Sequence, residues 1–206
     1  ALHSDHRRYH GFAMSTLDEE DRREYYRIED TIALEIRPLS APEAAGQEVL
    51  QDASPLFNLL SELHLSEFES QHLLRQISER DRAIAAFLKS QNKRIDLLSQ
   101  VVALTVLGHI GEPQPVIISE GGIDFQHPTP IATGAHLSVK LVLMPQALGL
   151  LLRARVTHCD RKGDGYDVGT EFEHLTDAQR QLLARYILQK QAQERRLARE
   201  QNESGI

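Results

Sequence analysis

Between Pro55 and Gly108 the chain has no proline or glycine, while leucines, isoleucines and charged residues recur at helical spacing. A stretch of this length without helix breakers predicts long helix. Its first apolar stripe consists of four leucines: Leu56, Leu59, Leu60 and Leu63. Ser66 with Glu69 three residues later is typical of a capping box. We therefore expect two helical pieces, the second beginning near Ser66.

The second piece carries a heptad repeat. Its a positions are Leu74, Asp81, Leu88, Ile95 and Val102, and its d positions are Ile77, Ile84, Gln91 and Leu98. Only Asp81 and Gln91 are polar seam positions. A repeat sustained over about four heptads is typical of a coiled coil. We expect this seam to join copies of the chain, with an intramolecular hairpin as the alternative.

The residue types in the seam bear on the number of copies. The first half pairs leucine at a with isoleucine at d, an arrangement that favours four strands. The second half pairs Ile95 and Val102 at a with Leu98 at d, which favours two. The sequence therefore predicts a homo-oligomer, with a tetramer favoured and a dimer as the alternative.

Length and charge restrict the function classes. The 206 residues leave room for one ordinary domain and an appendage. A net charge of -7 argues against general nucleic-acid binding, which needs a basic face. The single cysteine, Cys159, cannot form an internal disulfide, and neither a signal peptide nor a membrane span is apparent. These features predict a cytoplasmic protein.

Outside the helical stretch the patterns are those of short strands. Residues 31–37, 137–143, 150–159 and 166–172 alternate apolar with other residues. Residues 116–125, VIISEGGIDF, are predicted to form two strands separated by a turn or bulge at Gly121 and Gly122. A capping-box pattern from Thr176 to Gln179 then opens an amphipathic helix.

Two short motifs accompany these strands. Arg23 and Arg27 form an RxxxR just before the first strand, and Ser119 with Gly122 matches the last two positions of a DxSxxG pattern. Together they resemble the PilZ domain, a small β-barrel family whose best-known members bind the bacterial messenger cyclic di-GMP. The likeness covers roughly residues 20–38 and 114–190. Ile117 stands where the pattern has aspartate.

The resemblance implies an α+β fold: a six-stranded antiparallel PilZ-like β-barrel with a long helical coiled-coil insertion and a C-terminal helix. We expect a disordered leader at 1–19, the barrel and its helix at 20–39 and 112–191, the insertion at 40–111 and a polar tail at 192–206. The implied function is a non-catalytic signalling or adaptor protein of cyclic di-GMP pathways. Its partners would be other signalling proteins, and no cofactor is expected.

By motif position, Arg23 and Arg27 would grip the nucleotide, and Ser119 and Gly122 would let it approach the barrel. Guanidinium groups suit this ligand because they bond in pairs to phosphate or guanine. Ile117 cannot supply the usual acceptor, and losing one such bond costs on the order of 1–3 kcal/mol. We therefore expect weakened or lost binding. The alternative is a genuine cyclic di-GMP receptor that binds through both arginines.

Other interpretations of these residues need no ligand. The arginines could pair with the acidic run at 18–21, and the glycines could serve a bulge that the barrel requires. A catalytic role for the sequence His158-Cys159-Asp160 is disfavoured, because adjacent residues on a strand point to opposite faces. The histidines at positions 3, 6 and 10 lack the frame of a metal site. We predict neither catalysis nor metal binding.

Overall fold

The computed structural model describes residues 26–204 as a curled antiparallel sheet with a helical insertion and a closing helix. The strands are β1 (Ile28–Ile32), β2 (Leu34–Pro38), β3 (Gln114–Ile118), β4 (Ile123–His127), β5 (His136–Leu143), β6 (Leu148–Lys162) and β7 (Gly165–Glu173). The helices are α1 (Ala41–Ala45), α2 (Pro55–Arg80), α3 (Arg82–Ile110) and α4 (Asp177–Ser204). The leader predicted at 1–19 lies outside the described residues.

The seven strands follow the order β1-β3-β4-β7-β6-β5-β2. Only Ala33 separates β1 from β2, yet these strands form opposite edges of the sheet. The sheet therefore curls into a half-barrel that brings its two edges together. The α+β architecture is confirmed, but the single first strand predicted at 31–37 is two strands. The alternation of Ile32, Leu34 and Ile36 continues through buried Ala33, so it does not reveal the change of pairing partner.

The core lies between the inner face of the sheet and α4. Ile118, Phe125 and Leu141 from the strands pack with Leu183 and Ile187 from the helix. Burying such side chains is the main favourable contribution to folding, at about 1.5–3 kcal/mol each.

Helix α4 begins with the predicted capping box. The Thr176 hydroxyl accepts from the Gln179 amide at 3.1 Å, and the Gln179 side chain accepts from the Thr176 amide at 3.1 Å. Farther along, the Tyr186 hydroxyl donates to Asp30, and burial together with Asp30 raises the pKa of Tyr186. Lys190 pairs with the same carboxylate at 3.2 Å. These contacts fasten edge strand β1 to α4, whose residues beyond 192 extend as exposed helix.

The insertion is a helical hairpin that turns at Asp81. Asp81 has an extended backbone, and its carboxylate accepts from the amides of Ala83 and Ile84 at 3.0 Å each. Aspartate is a strong N-cap, so it ends α2 and starts α3. The helices run antiparallel, with Glu67 facing Asp96 across one groove. The helix start predicted near Ser66 is therefore wrong, as is the placement of Asp81 in a continuous seam.

The base of the hairpin shares a second core with the barrel. Phe57 and Leu60 of α2 pack with Val106 of α3 and with Val142 and Ala147 of the β5–β6 hairpin. No helix within residues 26–204 combines the length and the hydropathy that a membrane span requires.

Polar contacts also fix the base of the hairpin. The His64 Nε2 donates to the Ala147 carbonyl at 2.9 Å. Buried Lys140 pairs with Asp52 at 3.0 Å, and Arg153 donates to the carbonyls of Glu43 and Glu48. The segment leading into α2 is therefore held against the sheet.

Candidate ligand groove and helical stripe

The serine of the predicted ligand motif closes the β3–β4 turn. The Ser119 amide donates to the Gly122 carbonyl at 3.0 Å, and the Ser119 hydroxyl accepts from the Gly121 amide at 3.2 Å. The residue is only 9% exposed. The hydroxyl that the family resemblance assigns to a ligand is thus engaged by the turn itself.

Gly122 is required by the packing of the sheet. A Cβ at this position would lie 2.0 Å from the Thr170 carbonyl oxygen of β7. The neighbouring Gly121 carbonyl accepts from the Phe172 amide at 2.8 Å, so β7 runs directly against this turn. Neither glycine has a positive φ. Gly122 therefore serves the close approach of two backbones, which needs no ligand.

Arg27 lies at the same end of the sheet as this turn. Ile28 pairs with Ile118 between β1 and β3, so Arg27 and Ser119 stand one residue beyond that pair. The Arg27 side chain is exposed, and Arg23 lies outside the described residues. Of the four predicted ligand contacts, Arg27, Ser119 and Gly122 thus lie at one end of the sheet, and a groove begins two residues away at Glu29 and Ile117.

That groove, of about 570 Å³, runs over the outer face of β1, β3, β4 and β7. Its outer face carries three carboxylates and one lysine: Glu29, Asp124, Asp167 and Lys162. Asp30 also borders the groove, but its carboxylate is paired with Lys190 of α4. Ile117 lies at its centre, 39% exposed, with Glu29 and Asp124 opposite it on the two neighbouring strands. A surface with this net negative charge repels phosphate. Sequence reasoning missed it because the acids are far apart in the chain and only the strand register brings them together.

Asp124 is the most perturbed acid of this groove. Burial raises the pKa of Asp124 above its usual range, while the charges of Arg27 and His158 act in the opposite direction. The carboxylate is therefore held in a site that disfavours its charge.

Replacing Asp124 with asparagine is expected to stabilise the protein near neutral pH. Because the pKa of Asp124 is raised in the folded state, the stability linked to its protonation is present below pH 4 and lost as pH rises through the folded pKa. Asp124→Asn should therefore raise the thermal midpoint more at pH 7 than at pH 3. Glu35→Gln on the opposite edge strand is a control, and equal shifts at both pH values would contradict the expectation.

The residues of the predicted seam fall into two groups. Leu74 and Ile77 on α2 and Leu88, Gln91 and Val102 on α3 are half-buried, whereas Ile84, Ile95 and Leu98 on α3 are exposed. The intramolecular hairpin thus exists and covers part of the predicted set.

The exposed residues belong to a larger apolar surface along α3. We call it the α3 stripe and define it as Ile84, Phe87, Ile95, Leu98 and Val101. Phe87 and Leu98 are 63% and 66% exposed. Sequence reasoning missed Phe87 and Val101 because the heptad register assigned the adjacent positions to the seam. A row of large exposed apolar side chains along one side of a helix is typical of an interaction site.

The sequence His158-Cys159-Asp160 is arranged as expected for a strand. His158 pairs with Gly169 and its ring lies over that glycine on the outer face, while Cys159 packs towards the core and accepts from the Ile131 amide at 3.4 Å. The thiol and the imidazole therefore lie on opposite sides of β6. Within the described part of the chain, no group of three or more His, Cys, Asp or Glu side chains could hold a metal ion.

Comparison with known proteins agrees with this architecture. Residues 89–189 match the PilZ domain family, whose members are typically non-catalytic binding modules. No curated protein sequence matches the chain.

Two solved structures are similar. One is a Xanthomonas campestris pathogenic protein, described as a tetrameric PilZ domain self-assembled through a helical bundle. It is 15% identical over 84% of this chain and 89% of its own, with a TM-score of 0.50. The other is the Bacillus subtilis inhibitor of motility, 19% identical over 39% of this chain and 42% of its own, with a TM-score of 0.34.

The segment matched to the family runs from α3 through β3–β7 into α4, which is five of the seven strands of the curled sheet and the helix that closes it. The first of the two solved structures extends the likeness of fold to 84% of the chain. Residues 89–189 of this chain are a domain of the PilZ family.

Proposed function

We propose that this protein is a non-catalytic PilZ-domain adaptor of cyclic di-GMP signalling that assembles through its helical hairpin and binds the nucleotide weakly or not at all. The observation that carries the proposal is the α3 stripe. Residues 40–111 are its assembly unit, and residues 20–39 and 112–191 are the domain that meets other signalling proteins. The single cysteine supports a cytoplasmic location.

The occupant of the α3 stripe is a second copy of the chain. The five large apolar side chains of the stripe are 44–66% exposed, so burying the rest of each would contribute about 1 kcal/mol or more. They follow each other at spacings of three, eight, three and three residues, so they remain on one side of the helix. A helix with such a stripe suits pairing with its own copies around a symmetry axis.

A tetramer is the favoured stoichiometry and a dimer is the alternative. The similar Xanthomonas campestris protein is described as a tetramer assembled through a helical bundle. At 15% identity this likeness supports the fold, and its extension to assembly is an analogy. The turn at Asp81 changes the geometry expected from the sequence. Each copy would contribute a hairpin, with α3 facing the other copies and α2 behind it.

Weak nucleotide binding is supported by three properties of the groove and of the β3–β4 turn beside it. Its charge is predominantly negative, Ile117 offers methyl groups where an acceptor is expected, and the Ser119 hydroxyl is engaged within the turn. The positive charge of Arg27 favours nucleotide binding, but the nearby Asp124 carboxylate also attracts that charge and so competes with the ligand. The alternative, a receptor gripping the nucleotide through Arg23 and Arg27, needs those two cations to outweigh the acids around Ile117.

Calorimetry with cyclic di-GMP tests this part of the proposal. We expect no heat of binding at tens of micromolar protein. Ile117→Asn restores an acceptor and is expected to have little effect alone, because Glu29 and Asp124 remain opposite position 117. Combining it with Glu29→Gln and Asp124→Asn should raise the affinity at least about tenfold, since lost repulsion and one regained hydrogen bond act together.

The receptor alternative makes the opposite prediction. The receptor alternative would be established if the unaltered protein bound cyclic di-GMP with micromolar or tighter affinity and if Arg23→Ala or Arg27→Ala abolished that binding. The same result would refute the proposal of weak or absent binding. Arg37→Ala is a suitable control, because Arg37 is a comparably exposed arginine that pairs with Glu43 at 3.1 Å away from the groove.

A further inference from the structure

The half of the hairpin farthest from the barrel contains a second groove. It lies between α2 and α3, has a volume of about 750 Å³, and is lined by three cations: Arg75, Arg82 and Lys89. Gln71, the Ser78 hydroxyl and one carboxylate, Glu79, complete its polar lining. We call it the distal cleft. The function proposed above makes no use of it.

The charge around the distal cleft is opposite to that of the whole chain. Residues 71–94 hold six Lys and Arg against two Asp and Glu, a net charge of +4, whereas the chain carries -7. Basic residues concentrated in this way on an acidic protein create a local positive field that attracts anions.

The three cations of the distal cleft are not neutralised within the described part of the chain. No side-chain hydrogen bond or ion pair joins Arg75, Arg82 or Lys89 to any residue between 26 and 204. By contrast, other cations such as Lys140, Arg155 and Lys190 are paired with carboxylates. Three unpaired cations around one concavity are arranged to receive a negatively charged group from outside.

The distal cleft and the α3 stripe occupy different sides of α3. Arg82 and Lys89 are seven residues apart, about two turns, and so share a side. Leu98 is nine residues beyond Lys89, about 2.5 turns, and so lies on the opposite side. Copies joined through the α3 stripe would therefore leave each distal cleft open.

We propose that the distal cleft binds a phosphate-bearing anion. Two guanidinium groups can each bond to a pair of phosphate oxygens, Lys89 adds a compact charge, and Ser78 adds a hydroxyl donor. With three cations and one carboxylate, Glu79, the lining has a net charge of +2. This charge matches a doubly charged phosphate group better than a singly charged carboxylate ligand. The phosphate can belong to a soluble phosphate compound or to an anionic lipid headgroup.

The test measures binding of the full chain to inorganic tripolyphosphate by calorimetry, and to vesicles of phosphatidylglycerol or phosphatidylcholine by co-sedimentation. We expect the protein to bind tripolyphosphate, phosphatidylglycerol vesicles or both, and we expect the affinity to fall as the salt concentration rises. The triple variant Arg75→Gln, Arg82→Gln, Lys89→Gln should lose at least about tenfold in affinity. Binding to tripolyphosphate identifies a soluble phosphate compound, and binding to phosphatidylglycerol vesicles alone identifies a lipid headgroup.

A matched control removes the same three charges elsewhere. Arg195→Gln, Arg196→Gln, Arg199→Gln changes the exposed end of α4, and it should bind like the unaltered protein. Three results would overturn the proposal. The two triple variants could lose affinity equally, the unaltered protein could bind none of these probes, or it could bind polyaspartate more tightly than tripolyphosphate. Light scattering on the same samples should show an unchanged oligomer, so the outcome is independent of the assembly proposed above.

Discussion

Replacing Ile84 and Leu98 with glutamate is expected to convert the assembled protein to folded monomers. Both side chains belong to the α3 stripe and are more than half exposed, so the change leaves the interior of each chain intact. In an assembly the same positions would bury unpaired carboxylates in every copy, at a cost of several kcal/mol each. Size-exclusion chromatography with light scattering should show the mass of one chain. Circular dichroism and a cooperative thermal transition should show that the variant is still folded.

The control for this experiment places the same substitutions outside the stripe. Leu188 and Leu197 on α4 are also exposed leucines, and Leu188→Glu with Leu197→Glu should leave the mass of the assembly unchanged. If the unaltered protein is already monomeric at tens of micromolar, the α3 stripe does not join copies and the assembly proposal is wrong.

Gly122→Ala is expected to destabilise the fold strongly, whether or not any ligand binds. The new methyl group would lie 2.0 Å from the Thr170 carbonyl oxygen, and backbone on both sides prevents a cheap adjustment. Forced overpacking of this kind costs about 3 kcal/mol. For a chain of this size the thermal midpoint should fall by roughly 6–12 °C.

Gly108→Ala is the matched control for that substitution. Gly108 lies within α3, and an added Cβ meets nothing within 4 Å. Alanine at an exposed helical position stabilises by up to about 1 kcal/mol relative to glycine, so this variant should melt at the same temperature or higher. A midpoint for Gly122→Ala equal to that of the unaltered protein would show that β3–β4 can move away from β7, and that the glycine is retained for some other reason.

The parts of the fold that were predictable depend on contacts between near neighbours in the chain. The alternation in β5, β6 and β7 and the capping box at Thr176 are local signals, and the structure contains all of them. The division at Ala33 was not predictable, because a strand that changes partners keeps the same alternation. Asp81 fits a polar seam position and an N-cap equally well, and only the packing of α2 on α3 distinguishes the two.

The candidate sites were predictable to different degrees. Arg27, Ser119 and Gly122 were linked by a family motif, and the pairing of β1 with β3 brings them to one end of the sheet. The acidic character of the groove depends on register across four strands, which no single segment encodes. The distal cleft depends on the turn at Asp81, because a continuous helix would have separated Arg75 from Lys89 by about 21 Å.

The shared core at the base of the hairpin has a mechanical consequence. Phe57 and Leu60 pack against the barrel and against α3 at once, and His64, Lys140 and Arg153 tie the same region to the sheet. A barrel joined to its helices in this way cannot swivel as it would on a flexible linker. Copies held together by α3 would display their barrels at set distances and angles. A partner with several docking points would then gain avidity only if its own spacing matched.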